Sequence, residues 1–224
     1  MNAYIPETDK KRVVVVGGGF AGITLVENLD ENLFQVVLVD KNNYHQFQPL
    51  IYQVAASGLE ASSICFSFRR LFRKRKNFFF RLAKATKVDS EKKILKTTAG
   101  DIRYDYLVVC AGATTNFFGN KNIEKVALPM KSVEEAIYLR NRVIENNEEV
   151  LTAPEEERDS YRNMVIVGGG ATGVEISGIM SEMRRFVMPK NFHNIDPSKI
   201  HIYLIAPSIL ATMTEKSSID GRKA

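Results

Sequence analysis

An α/β fold of two successive Rossmann-like units, the second incomplete, is predicted by three observations. A valine-rich run breaks into a glycine turn at VVVVGGGFAG (Val13–Gly22), and the pattern returns at MVIVGGGATG (Met164–Gly173). Each turn opens a helix-forming stretch, giving the strand, turn and helix order that receives a dinucleotide pyrophosphate. An acid, Asp40, closes the apolar run after the first turn.

Four consecutive valines suit a parallel strand buried on both faces, so Arg12–Val16 reads as the first strand. Gly17–Gly22 form the turn, Ala21 to about Leu29 the helix, and Val36–Val39 the second strand. Asn42–Gly58 reads as loop around Pro49, and Leu59–Arg73 as a helix with a basic end. Phe78–Asp89, Lys92–Thr97 and Ile102–Tyr104 read as short strands with polar turns, a small antiparallel insertion. Tyr106–Ala111 returns as an apolar strand, closed by Gly112. Val133–Leu151 has apolar residues at helical spacing, and the acidic stretch Ala153–Arg162 reads as a solvated connector. The second unit begins with strand Asn163–Val167, continues through helix Thr172–Val187, and reaches strand Lys199–Ile205. A Rossmann half needs more parallel strands than these two to bury its sheet, so the chain reads as shortened.

Gly17, Gly19 and Gly22 carry the G-x-G-x-x-G spacing: the first for the tight turn, the second for approach of the pyrophosphate, the third for helix–strand packing. The helix N-terminus adds free N–H groups and a positive dipole end, and Asp40 is placed to accept hydrogen bonds from ribose hydroxyls. Gly168, Gly170 and Gly173 repeat the spacing. The ribose acid is missing there: Ala206-Pro207-Ser208 follows Ile205, the next acid is Glu215 and the next cation Lys216. Glu175, early in the second helix, reads either as facing a nicotinamide or as offsetting the helix dipole. Two such units point to an enzyme that passes electrons between two bound dinucleotides.

The composition narrows the alternatives. A net charge of +5 and a pI near 9.1 are mildly basic and name no partner. The start, MNAYIPETDKKR, lacks the apolar stretch of a signal peptide, and no apolar run is long enough to span a bilayer. Cys65 and Cys110 form no C-x-x-C pair, which suits a reducing cytoplasm and argues against a disulfide reductase. His45, His193 and His201 are scattered, so neither a metal set nor a catalytic triad is expected; His45 reads as a packing or hydrogen-bonding residue. RRLFRKRK (Arg69–Lys76) puts six cations in eight residues. It reads as a solvated helix end, with an anionic membrane surface as the alternative and nucleic acid ranked below both for want of a recognition motif.

NNYHQFQPLIYQVAASGLE (Asn42–Glu60), set between GGGFAG and the later CAGATTNFFG (Cys110–Gly119) and GGGATGVEISG (Gly168–Gly178), resembles type II NADH:quinone oxidoreductases. These are single-subunit, non-proton-pumping members of the two-dinucleotide flavoprotein superfamily. The resemblance runs from about Lys11 to Ser218. It implies an FAD-binding unit over residues 1–117, a helical connector over 118–162 and an incomplete NADH-binding unit over 163–224. By resemblance, Gly17, Gly19, Gly22 and Asp40 would hold the adenosine and pyrophosphate of FAD. Gln48, Pro49 and Leu50 would lie beside its isoalloxazine, and Ala111 and Gly112 at the strand end that closes over it. Gly168, Gly170 and Gly173 would hold NADH, and Glu175 would stand near the nicotinamide as the catalytic residue. The resemblance implies a quinone acceptor, a cytoplasmic location peripheral to the inner face of the cell membrane for the full-length relative, and compatibility with a homodimer. Family members continue through a completed NADH domain, return to complete the FAD domain and end in membrane-attaching helices, so weak FAD retention is expected here. The competing readings are an inactive nucleotide-binding remnant and another NAD(P)H-dependent flavoprotein reductase.

Overall fold

β1 (Lys11–Val16) buries four residues in succession and β2 (Phe34–Asp40) five, with α1 (Phe20–Asn28) between them. The computed structural model in which this is seen describes residues 3–211, so Glu215, Lys216 and Ser218 lie outside the described residues. β3 (Tyr44–Gln46), α2 (Ile51–Ala55), β4 (Cys65–Ser67), α3 (Phe68–Leu71) and β5 (Phe78–Leu82) follow. Next come β6 (Ala85–Asp89), β7 (Ile94–Thr97), β8 (Gly100–Arg103) and β9 (Tyr106–Val109). The rest comprises α4 (Lys121–Val126), α5 (Val133–Thr152), α6 (Glu155–Arg162), β10 (Asn163–Val167), α7 (Ala171–Glu182), α8 (Met188–Asn191) and β11 (His201–Ile205). The fold class is the predicted α/β one, with Rossmann-like parallel strands and small antiparallel sheets.

The chain packs as two compact units, Met1–Phe47 with Ile64–Thr114, and Gln48–Ser63 with Thr115–Ala224. The first is built on a parallel sheet of order β5-β2-β1-β9. Alternation decides what each face meets. Val13, Val15, Val36 and Leu38 pack with Val26 of α1 and with Phe68, Phe72 and Phe80. Val14, Val37 and Val39 face the other way, onto Leu95 and Ile102 of the antiparallel β6-β7-β8 meander. Both faces are covered, so the strands are valine runs and show no polar alternation. In the second unit β10 and β11 pair in parallel, and α7 packs on both. α2 packs on α5 and α7, which brings Gln48–Ser63 into this unit.

Several predicted elements differ. The expected helix over Leu59–Arg73 is a 3₁₀ turn at Ala61–Ser63, then β4, then only a short helix, because Cys65–Ser67 pairs antiparallel with Tyr44–Gln46. The same pairing turns part of the expected Asn42–Gly58 loop into β3, and burial of Ile51, Val54 and Ala55 turns another part into α2. Phe78–Asp89 is two strands: Phe80 is drawn into the core, so β5 joins the parallel sheet, and only β6 belongs to the insertion. The expected connector Ala153–Arg162 is mostly α6, whose buried Arg162 pairs with Glu155 and Asp159. The helix expected to end at Val187 passes through a π-helical turn at Met183–Val187 into α8. The last strand starts at His201, after a 3₁₀ turn at Pro197–Lys199.

Candidate functional site

The two glycine turns repeat one geometry. Gly17 N donates to Val39 O at 2.8 Å, and Gly168 N donates to Ile205 O at 2.9 Å. Both glycines have positive φ, +100° and +122°, a conformation other residues rarely adopt. At the third glycine the backbones nearly touch: a Cβ on Gly22 would lie 1.9 Å from Gly17 O, and one on Gly173 would lie 1.9 Å from Gly168 O. The middle glycines differ in kind. A Cβ on Gly19 or Gly170 would meet nothing within 4 Å. The protein's own packing therefore does not require glycine at either position, and the open space lies at a helix N-terminus. Gly19 and Gly170 are the N-caps of α1 and α7, and neither helix has a side-chain cap or an acid in its first turn. Their first N–H groups and positive dipole ends stay available to an anion.

In the first unit Asp40 locks the turn from the end of β2. Its Oδ2 accepts the Gly18 N–H at 2.6 Å and its Oδ1 the Asn42 N–H at 2.8 Å. Buried His45 lies 2.9 Å from Gly18 O through Nδ1. The acceptor is a carbonyl, so Nδ1 carries the hydrogen and donates. Phe20 and Phe47 pack edge-on in this corner, Phe20 against both His45 and Phe47. Phe68 fills the space over Gly18, where a Cβ would lie 2.1 Å from its ring. Ala111 follows β9, and its Cα lies 3.0 Å from where a Cβ on Gly17 would stand. Gly112, at φ +70°, borders open space. The structure thus gathers Gly17, Gly19, Gly22, Asp40, Ala111 and Gly112 at one end of the parallel sheet.

The second turn has no counterpart to Asp40. Val16 pairs with Val39 and Val167 with Ile205, so Ala206 occupies the register position of Asp40. Backbone covers the turn there: Leu210 N donates to Gly169 O at 2.6 Å, and Ser208 O lies 2.2 Å from a Cβ placed on Gly169. Gln48, Pro49 and Leu50 form the 3₁₀ turn that enters α2. Within this unit a recess of about 80 Å³ is lined by Gln48, Tyr52, Met130, Lys131, Thr172 and Glu175, among others. Gln48 and Glu175, far apart in sequence, line one cavity, and the Gln48 amide donates to Lys131 O at 3.5 Å. Glu175 is exposed and lies beyond the first turn of α7, which is not a dipole-capping position. Sequence reasoning missed Tyr52, Met130, Lys131 and Thr172. Thr172 was findable, since it sits three residues before Glu175 on one helix face; the others carried no local signal. No cluster of metal-ligating side chains exists among the described residues.

Residues 11–218 match the profile of the pyridine nucleotide-disulphide oxidoreductase family. The type II NADH:quinone oxidoreductase NdhA of Mycobacterium tuberculosis is 31% identical over 221 residues, covering 96% of this chain and 47% of that protein. The mitochondrial external alternative NAD(P)H-ubiquinone oxidoreductase B1 of Solanum tuberosum is 32% identical over 228 residues, covering 95% and 40%. The chain spans about half the length of the curated relatives it matches or less. The solved structure of NDH2 from Plasmodium falciparum in complex with NADH superposes with a TM-score of 0.90 at 24% identity, covering 96% of this chain and 46% of that one.

Proposed function

The chain belongs to the pyridine nucleotide-disulphide oxidoreductase family, and from that premise we propose that its glycine turns hold FAD and NADH in a flavin-dependent enzyme passing electrons from NADH to a quinone. One observation carries the reading: both turns keep a middle glycine whose missing Cβ no protein atom explains. Phosphate approaching the backbone explains it. On this reading Gly17, Gly19 and Gly22 cradle the FAD pyrophosphate. Asp40, held by two backbone N–H groups, offers its remaining lone pairs to a ribose. Bound FAD supplies hydride acceptance and electron delivery to the quinone, which leaves the chain the tasks of binding, orientation and electrostatics.

Gly168, Gly170 and Gly173 cradle the NADH pyrophosphate. With Ala206 in the place of the acid, the ribose is held less firmly and a 2′-phosphate meets no repelling carboxylate. Glu175 accepts a hydrogen bond from the nicotinamide carboxamide, and Gln48 steadies the same recess. Dithiol chemistry has no support in the sequence, since Cys65 and Cys110 form no C-x-x-C pair. A quinone acceptor implies work at a membrane periphery, on the inner face of the cell membrane for the full-length form. No helix among the described residues is long and apolar enough to cross one.

The test is to titrate the purified chain with FAD, follow uptake by the quenching of flavin fluorescence, and then follow the visible flavin band on anaerobic addition of NADH with FAD still present. Uptake of flavin followed by bleaching is expected, with slower bleaching in Glu175→Gln. A chain that takes up no flavin is a remnant, and that outcome removes the proposal.

A further inference from the structure

The basic run Arg69–Lys76 plays no part in the reading above, and the fold gives it a definite form. Phe68 and Phe72, four residues apart, are buried in the core. That anchoring turns Arg69, Arg70, Arg73, Lys74 and Lys76 to the exterior. A recess of about 190 Å³ opens between this segment and edge strand β5. Arg69, Arg73, Arg75 and Arg81 surround it, with Phe72 and the three phenylalanines of β5 as its other walls. None of these residues belongs to either glycine turn.

Two of the four guanidiniums are fixed by neutral acceptors. Arg75 donates to Glu27 O and Leu29 O, and Arg81 donates to the carbonyls of Ala3, Tyr4 and Phe80. Carbonyl bonds position a cation but leave its charge uncancelled. Arg69 lies 5.3 Å from the centre of the Phe80 ring, which also holds it in place. Among the described residues, no carboxylate lies within ion-pair distance of any of the four. Burial, and then the charge of Arg69, lower the Arg81 pKa from its ordinary value, so the cations are crowded as well as unpaired. A guanidinium stays protonated under such pressure, and a bound anion would relieve the repulsion.

We infer that this recess binds a phosphate group, with the exposed Arg69 and Arg73 as its ligands and Arg75 and Arg81 as fixed positive charge behind them. Planar guanidiniums pair bidentately with phosphate oxygens, which favours phosphate over a spherical halide. The volume lies below the roughly 300–1,000 Å³ of sites for drug-sized ligands, so a phosphate or diphosphate group fits and a whole dinucleotide does not. The same chemistry is offered by a soluble phosphate and by the headgroup of an anionic lipid.

Calorimetric titration of the whole chain with sodium pyrophosphate, against sodium chloride of matched ionic strength, tests the soluble source. Co-sedimentation with phosphatidylcholine vesicles, with and without phosphatidic acid, tests the lipid source. Saturable pyrophosphate binding that persists in Gly19→Ala/Gly170→Ala, and so does not arise at the glycine turns, or sedimentation with the phosphatidic acid vesicles that pyrophosphate competes away, supports the site. The exposed double variant Arg69→Gln/Arg73→Gln should bind at least about tenfold more weakly. Replacing both by lysine keeps the charge and should recover only part of that loss. Arg103→Gln, an exposed cation on β8, should change binding by less than about twofold. Equal loss per charge removed in Arg103→Gln and the double variant would reduce the effect to net charge and overturn the site. Absence of binding in both arms overturns it as well.

Discussion

At the scale of single residues, the glycines divide into those the protein needs and those a ligand would need. Gly22 has no room, since an added Cβ would sit 1.9 Å from a backbone oxygen that cannot rotate away. Gly22→Ala should therefore destabilise the chain by about 3 kcal/mol or more, read by urea denaturation. Gly19 has room and an ordinary φ of −70°. Gly19→Ala should stay within about 1 kcal/mol of the wild type, the modest loss of a glycine N-cap. The proposed phosphate approach makes a second forecast for the same variant: FAD affinity falls at least about tenfold while the melting curve barely moves. Wild-type FAD affinity in Gly19→Ala would remove the ligand explanation of the open position. Ala206→Asp asks the complementary question in the second unit. A carboxylate in the register position of Asp40 should lower the Kd for NADH by about tenfold, through a charged hydrogen bond to the ribose, and should raise it for NADPH.

At the scale of elements, α5 is held at its start by a capping box. Ser132 Oγ accepts the Glu135 N–H at 3.3 Å, and the Glu135 carboxylate accepts the Ser132 N–H at 2.9 Å. Ser132→Ala should cost about 1 kcal/mol in denaturation while leaving flavin uptake unchanged. Asp105 ties the link between β8 and β9 to the start of β1, accepting the Arg12 N–H at 2.7 Å and pairing with Lys11 at 3.4 Å. The Arg12 N–H first, and the Lys11 ammonium after it, hold this carboxyl below its ordinary pKa. A depressed carboxylate stabilises the fold above the unfolded pKa of about 3.9, and that contribution is lost as pH falls through the folded value. Asp105→Asn should thus be less stable than wild type near neutral pH, with the gap closing below about pH 3.9. A constant gap across that range would place the effect in packing instead. These elements also show what the sequence could and could not disclose. The valine strands and glycine turns were legible because burial on both faces and a tight turn each leave a local signature. β3, β4 and α2 were not, because three-residue strands and a one-turn helix exist only through tertiary partners such as the Tyr44–Ser67 pairing. β5 was legible as a strand but not in its place, since nothing local distinguishes an edge of the parallel sheet from the first arm of a meander. Asp40 and the glycines could be placed from spacing alone, whereas the meeting of Gln48 with Glu175 depends on the packing of α2 against α7.

At the scale of the whole molecule, the two parallel sheets are protected unequally, and that should appear as unequal local stability. In β1 and β2 both faces are covered: Val14, Val15, Val37, Leu38 and Val39 are 0% exposed. In β10 and β11 only the face toward α7 is covered. On the other, Val165, Val167, Tyr203 and Ile205 are 55%, 59%, 48% and 56% exposed. Each exposed side chain forfeits much of the roughly 1.5–3 kcal/mol that full burial of such a residue contributes. The β10–β11 pair also has one ladder, whereas β1 has a hydrogen-bonded neighbour on each side. Opening β10–β11 therefore breaks fewer bonds and exposes less new apolar surface. Native-state hydrogen exchange should find the amides of Val14–Val16 and Val36–Val39 slowest in the chain, with Met164–Val167 and Ile202–Ile205 exchanging faster by at least about a hundredfold, a difference of roughly 3 kcal/mol in opening free energy. Adding NADH separates two causes of that weakness. If the second turn binds the nucleotide as proposed, protection of Met164–Val167 should rise with ligand concentration, because a ligand that binds only the closed form stabilises it by mass action. Protection of β10 that matches β1 without ligand, or that ignores NADH at every concentration, would show that the uncovered face does not set the stability of this unit or that the turn does not hold the nucleotide.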